Sequence, residues 1–199
     1  MSACEITNIM SIVVFSGGAS GADDLWVQCA DKQGCPSIQI MTFEGHKRTV
    51  NVNTVKLIII PQEELLDVKE LIMSTGKLLH RKIDERPFVY NLIARNYYII
   101  KNAQVVYAVG YLNQRYGLGV DGGTAWGCEY FKKLRGVDTT LYFFDMCTNK
   151  WVMLQVLPNG EYEWVDCDRV PSPKEFERVG LIGSRELTEQ GKMAIAQVW

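Results

Sequence analysis

At 199 residues, the chain has the length of one domain, or of one domain with an appendage. Apolar residues make up 47% of it and charged residues 22%, which is ordinary for a globular protein with a substantial core. The formal net charge of −2 and the pI near 5.8 exclude a global attraction to nucleic acid or to an anionic membrane. We therefore expect neither as a partner.

Six cysteines and two histidines offer little for a metal site, and no two cysteines form a C-x-x-C pair. We expect no metal and no cofactor. The first residues, MSACEITNIMS, have no basic segment typical of a secretion signal. The longest apolar runs, LIII at 57–60 and LYFF at 141–144, are too short to span a bilayer. These features predict a cytoplasmic protein with reduced thiols.

Predicted strands alternate with predicted helices along the chain. Apolar residues recur at helical spacing from Ala22, and Pro61 is typical of the first turn of a helix. Asn159 and Gly160 lie between two alternating runs, which predicts a hairpin. Strands are predicted at 12–15, 37–43, 104–112 and 139–145; helices at 22–33, from 61, from 87, over 122–134 and over 185–198; residues 55–60 are either a strand or the lead-in to a helix.

This alternation predicts the α/β fold class: a Rossmann-like parallel sheet with helices on both faces, plus a C-terminal β-hairpin and helix. We expect residues 1–147 to form the Rossmann-like domain. Residues 148–199 are expected to pack on the same domain as a hairpin and helical appendage, which also holds a short apolar stretch, VGLIG.

The segment SGGASGAD at 16–23 lies where a strand ends and a helix begins. Ligands bind at such places in parallel sheets, and glycines let backbone amides face a phosphate. The residues that would contact the phosphate are Ser16, Gly17, Gly18 and Gly21. Asp23 either compensates the helix dipole or contacts a ribose hydroxyl. No G-K-[ST] follows, so the segment is not a P-loop, and alone it is equally consistent with a tight turn.

A second glycine pair, Gly122 and Gly123, is followed by Thr124 and also begins a predicted helix. Two glycine-rich helix starts in one parallel sheet can face each other across one cleft, one holding a phosphate and the other a sugar. Arg95 and Asn96 lie on the predicted helix before the central strand. Arg95 is either a surface residue with a buried stem or a guanidinium directed at a phosphate.

The order of glycine turn, Arg-Asn-x-x-x-Ile-x-x-Ala, apolar strand and Gly-Gly-Thr resembles the SLOG superfamily of Rossmann-like nucleotide-binding proteins. The resemblance covers roughly residues 12–145. Members of the superfamily include the lonely-guy phosphoribohydrolases and the DprA-like and YpsA-like proteins. The stretches VYAVGYL, GVDGGTAWGCEYF, LYFFD and VGLIGSRELTEQGKMAI are similar to phage-encoded relatives.

The resemblance implies a phosphate and ribose cleft built by the two glycine turns. In the phosphoribohydrolases an arginine before the central strand and a glutamate after the Gly-Thr pair serve N-glycosidic cleavage, and Arg95 matches the arginine. The family's glutamate would fall at Trp126 or Gly127, whereas the nearest carboxylate on this helix is Glu129. Glu129 or Asp121 would then be the catalytic carboxylate.

The expected function is binding of a phosphorylated nucleoside or an ADP-ribose-like nucleotide derivative, as a phage sensor or sequestering protein. The first alternative is a nucleoside 5′-monophosphate N-glycosidase that releases a base. The second is an interaction protein with an unused cleft. A homodimer is a possible assembly, and no membrane partner is expected.

Overall fold

The computed structural model describes residues 12–50, 52, 54–83, 86–135 and 140–199. Their strands are β1 Val13–Ser16, β2 Ser37–Thr42, β3 Val55–Ile59, β4 Val105–Gly110, β5 Thr140–Asp145, β6 Lys150–Val156, β7 Tyr162–Asp166 and β8 Arg178–Gly183. Their α-helices are α1 Ala22–Lys32, α2 Gln62–Asp67, α3 Lys69–Leu78, α4 Pro87–Asn102, α5 Thr124–Arg135 and α6 Glu189–Gln197.

The eight strands form one sheet in the order β3-β2-β1-β8-β4-β5-β6-β7. Strands β1 to β5 and β8 run parallel, and the hairpin of β6 and β7 continues the sheet antiparallel. The α/β class and the Rossmann-like sheet are confirmed. Residues 55–59 are a strand, which settles the alternative left open there, and the helix predicted from 61 is divided in two at Val68.

The C-terminal stretch VGLIG lies at the centre of the sheet. It belongs to β8, which pairs with β1 on one side, Phe15 opposite Gly180, and with β4 on the other, Tyr107 opposite Leu181. Gly180 has no side chain because a Cβ there would lie 2.9 Å from the Cβ of Ala103, at the end of α4. The boundary predicted between the domain and its appendage, at residues 147 and 148, therefore falls between two neighbouring strands of one continuous sheet.

Helices cover both faces of this sheet and enclose two apolar clusters. Val14 points into the cluster under α1 and α6, and the next residue, Phe15, points into the cluster under α4 and α5. This alternation is the period-two pattern of a strand buried on both faces. None of the helices in the described part of the chain is long and apolar enough to cross a membrane.

Shortening Leu181 tests the central position of β8. Leu181 has no exposed surface, so we expect Leu181→Ala to lower the free energy of unfolding by about 2–5 kcal/mol. Met193, on α6, is 57% exposed, and we expect Met193→Ala to change the free energy of unfolding by no more than about 0.5 kcal/mol. Urea denaturation of both variants makes the comparison. A small, equal change in both would contradict the place of β8.

Candidate functional site

A cleft of about 560 Å³ opens at the carboxyl ends of β1, β4 and β8. The chain leaves β1 toward β2 and β3, then returns to β4 on the other side, so the strand order reverses between β1 and β4. Ligands in open α/β sheets bind at such a reversal. Here β8 lies between them, and its last residue, Gly183, forms one wall of the cleft together with residues 184–186.

The cleft contains part of the predicted site. It brings together residues from the starts of α1 and α5 and from the inner face of α4. The predicted residues that line it are Asp23, Arg95, Asn96, Asp121, Gly122, Gly123 and Thr124. The lining does not include Ser16, Gly17, Gly18, Gly21 or Glu129.

Arg95 is buried at the base of the cleft, with 5% of its surface exposed. Its Nη2 lies 3.4 Å from Oδ2 of Asp23, which also accepts a bond from the N–H of Ala19. Its Nε and Nη1 have no hydrogen-bond partner among the described residues. Burial lowers the pKa of Arg95, the carboxylate of Asp23 opposes this, and the charge of Arg185 lowers it further. The cleft therefore contains a buried guanidinium with two unused donors.

The first glycine turn packs against this arginine. A Cβ on Gly17 would overlap the guanidinium of Arg95, so only glycine leaves it room. Gly18, at φ +65°, would place a Cβ 2.8 Å from Cγ2 of Ile40 on β2. Ser16 is buried, and its hydroxyl donates to the carbonyl of Asp23 at 3.4 Å.

The start of α1 is covered by the C-terminal segment. The N–H of Ala22 donates to the carbonyl of Ser184 at 2.9 Å. Gly21, at φ +92°, would place a Cβ against the carbonyl of Arg185. The chain itself thus gives the first three glycines a packing reason, and their contact with a phosphate stays a prediction.

The second glycine pair is open. A Cβ on Gly122 or Gly123 would meet nothing within 4 Å. The carbonyl of Gly122 accepts a 2.5 Å bond from Arg81, and that of Gly123 accepts a 3.4 Å bond from Asn96. These bonds fix the start of α5, whose positive end borders the cleft. Of its first N–H groups, that of Trp126 donates to the carbonyl of Gly123 at 3.2 Å, whereas those of Thr124 and Ala125 have no carbonyl of the preceding turn of helix to bond, which suits an anion.

Asp121 joins the same end of the cleft. Its Oδ1 accepts the N–H of Gly122 at 2.6 Å and lies 3.5 Å from Nη2 of Arg81. Its side chain is 44% exposed. It is thus a partly exposed carboxylate that already has a cationic partner.

Glu129 lies on the far side of the loop that leads to the second glycine pair. It is fully buried, and its Oε1 accepts the N–H of Leu118 at 2.6 Å. The indole N–H of Trp164, on β7, donates to the carbonyl of Leu118 at 2.7 Å, so Leu118 is bonded through both its N–H and its carbonyl. Burial raises the pKa of Glu129, which the bond from Leu118 opposes. The structure gives Glu129 the role of a loop anchor, outside the cleft.

The sequence analysis missed several cleft residues, above all Arg81, Arg185 and Glu186. Arg185 and Glu186 follow β8, and the Gly-Ser step at 183–184 after an apolar run was their only sequence signal. Arg81 follows α3 without any motif. An apolar wall from α4, formed by Val89, Leu92 and Ile93, was also not recognised.

His46 lies near the first glycine turn, in the loop after β2. Its Nδ1 lies 3.0 Å from the hydroxyl of Thr42. Burial lowers its pKa to about 4, and the charges of Arg95, Arg48 and Arg185 act in the same direction. The imidazole is therefore neutral at pH 7.

No protein-family model, curated protein or solved structure matches the chain. Within the described residues, no cluster of His, Cys, Asp and Glu could hold a metal ion.

The same substitution at two glycines tests the packing of the first turn. Gly17→Ser is expected to lower the free energy of unfolding by about 1–3 kcal/mol, because its Cβ displaces Arg95. Gly123→Ser meets open space and places a favourable capping residue before α5, so we expect no loss. Thermal denaturation compares them. Equal losses would show that the contact between Gly17 and Arg95 is unimportant.

Acid sensitivity tests the neutral His46. Above about pH 6.5, His46 is neutral in both the folded and the unfolded chain. Between about pH 6.5 and its folded pKa of about 4, His46 is protonated only in the unfolded chain, which favours unfolding. Stability should therefore fall by about 3 kcal/mol over this range from His46 alone. His46→Gln should remove that part of the decrease. Identical pH profiles of unfolding for both proteins would contradict the assignment.

Proposed function

We propose that the protein binds a phosphorylated nucleoside, or an ADP-ribose-like nucleotide derivative, in the cleft. The buried Arg95 carries the proposal, because its Nε and Nη1 donate to nothing among the described residues. An unsatisfied buried donor typically costs about 1–3 kcal/mol, and more on a charged group. A phosphate oxygen would satisfy such donors with short, charge-assisted bonds.

Electrostatics supports an anion at the same place. Arg185 lowers the pKa of Arg95, so the two cations repel each other across the cleft. The only carboxylate bonded to Arg95 among the described residues is Asp23, at 3.4 Å. A phosphate between Arg95, Arg185 and the start of α5 would relieve this repulsion and use the helix dipole.

The rest of the cleft suits a nucleoside. Val89, Leu92 and Ile93 supply an apolar wall, and Trp126 also contributes to the lining. Asn96 and Asp121 supply polar groups at its margin. A volume of about 560 Å³ falls within the ordinary range for small-ligand pockets. An apolar wall with a few polar groups is the composition that a base and a ribose require.

We favour binding over N-glycosidic cleavage because Glu129 does not line the cleft. Cleavage of this kind needs a carboxylate beside the sugar. The carboxylates of Asp23 and Asp121 each lie beside an arginine, at 3.4 Å from Arg95 and at 3.5 Å from Arg81. Asp121 is the candidate for catalysis if a base is released.

The family, the biological role and the oligomeric state of the protein remain predictions. Membership of the SLOG superfamily, a phage sensor or sequestering role in the host cytoplasm, and a homodimer all agree with nucleotide binding.

Nucleotide binding should raise the melting temperature. At about a hundred times its dissociation constant, AMP, NAD or ADP-ribose would add about 2.7 kcal/mol to the free energy of unfolding. Removing both charges with Asp23→Asn and Arg95→Gln avoids leaving either one buried and unpaired. This double variant should lose at least about tenfold in affinity.

Arg178→Gln is the matched control, since Arg178 is exposed at the amino end of β8 and away from the cleft. It should bind as the wild type does. Chromatography of each mixture separates intact nucleotide from a released base, which would indicate the glycosidase. No shift with any nucleotide would overturn the proposal and favour an interaction protein.

A further inference from the structure

A second groove, of about 550 Å³, lies beside the cleft, under the loop that follows β2. Three basic residues in sequence, His46, Lys47 and Arg48, line it together with aliphatic side chains such as Ile40 and Val50. No carboxylate is among the described residues that line it. The composition indicates a site for an anion attached to an apolar body.

The first glycine turn contacts side chains of both sites. A Cβ on Gly17 would overlap Arg95, which lines the cleft. A Cβ on Gly18 would lie 2.8 Å from Ile40 and 3.5 Å from Val50, which line the groove. We call Gly17 and Gly18 the glycine ridge.

The loop and the turn are also joined directly. The N–H of Thr49 donates to the carbonyl of Gly18 at 3.3 Å. His46 stacks on Phe43 at 5.0 Å, and Phe43 contacts Phe88, the residue before Val89 in the cleft wall. The basic loop is therefore joined to the glycine ridge and, through Phe43 and Phe88, to the start of α4.

The positive charges of both sites act on His46. Its imidazole lies near Arg48 of the groove and near Arg95 and Arg185 of the cleft, and all three charges lower its pKa. Because His46 itself is neutral, Lys47 and Arg48 supply the charge of the groove. Both side chains are exposed, and neither pairs with a carboxylate among the described residues, so one anion at Arg95 leaves them without a fixed counter-charge.

We propose that the ligand carries two phosphate groups, one held by Arg95 and the start of α5, the other by Lys47 and Arg48 in the groove. This inference rests on the proposed function and narrows its ligand class to nucleotides with two phosphates. In other doubly wound folds, a basic residue near the ribose site can hold the additional phosphate of a dinucleotide. The comparison with the groove is an analogy between folds. The ligand would cross the glycine ridge.

Three adenine nucleotides test the inference by calorimetric titration. AMP carries one phosphate, ADP-ribose two joined in a bridge, and adenosine 3′,5′-bisphosphate two at separate positions. At least one of the last two should bind about tenfold or more tightly than AMP. Preference for ADP-ribose would indicate a bridged pair, and preference for the bisphosphate would indicate separated groups.

The variant Lys47→Ala with Arg48→Ala should abolish that preference and leave the affinity for AMP unchanged. Lys69→Ala with Lys77→Ala removes the same charge from exposed positions on α3 and should change neither. Equal affinity for all three nucleotides, or equal weakening of all three by the groove variant, would overturn the second phosphate site alone. Failure of all three to bind the wild type would overturn the proposed function as well.

Discussion

The ion pair between Arg95 and Asp23 is the interaction on which the cleft depends. It joins α4 on one face of the sheet to α1 on the other, and Gly17 makes room for it. Removing one partner of a buried pair typically costs about 3–5 kcal/mol, because the other charge stays buried and unpaired. With a single carboxylate at 3.4 Å, Arg95 is held in place but its donors are only partly used.

The C-terminal segment completes this arrangement from the centre of the sheet. Ser184, directly after β8, donates its N–H to Val109 of β4 and accepts the N–H of Ala22 at the start of α1. Strand β4 and the start of α1 are thereby joined through one residue. Arg185 follows immediately and adds its charge to the cleft. The cleft is consequently incomplete without the C-terminal segment.

The sequence predicted the fold well because its signals are local. Helical spacing from Ala22, Pro87 at the start of α4 and Asn159-Gly160 in the hairpin each depend on neighbours in the chain. The position of β8 depends on pairing with strands more than seventy residues away, since Val179 lies opposite Val105, and no local pattern encodes that. For the same reason Arg185 was missed in the cleft, and Glu129 was placed by its helix alone, without the loop that covers it.

The two glycine-rich helix starts are unequal, although their sequences look alike. At α1 the N–H of Ala22 already has a carbonyl partner, and the glycines before it contact Arg95, Ile40 and Arg185. At α5 the space beside Gly122 and Gly123 is open. An anion gains most where backbone donors and a helix dipole are free. In the proposed complex the first phosphate would therefore lie at α5, and the rest of the ligand would pass over the turn before α1.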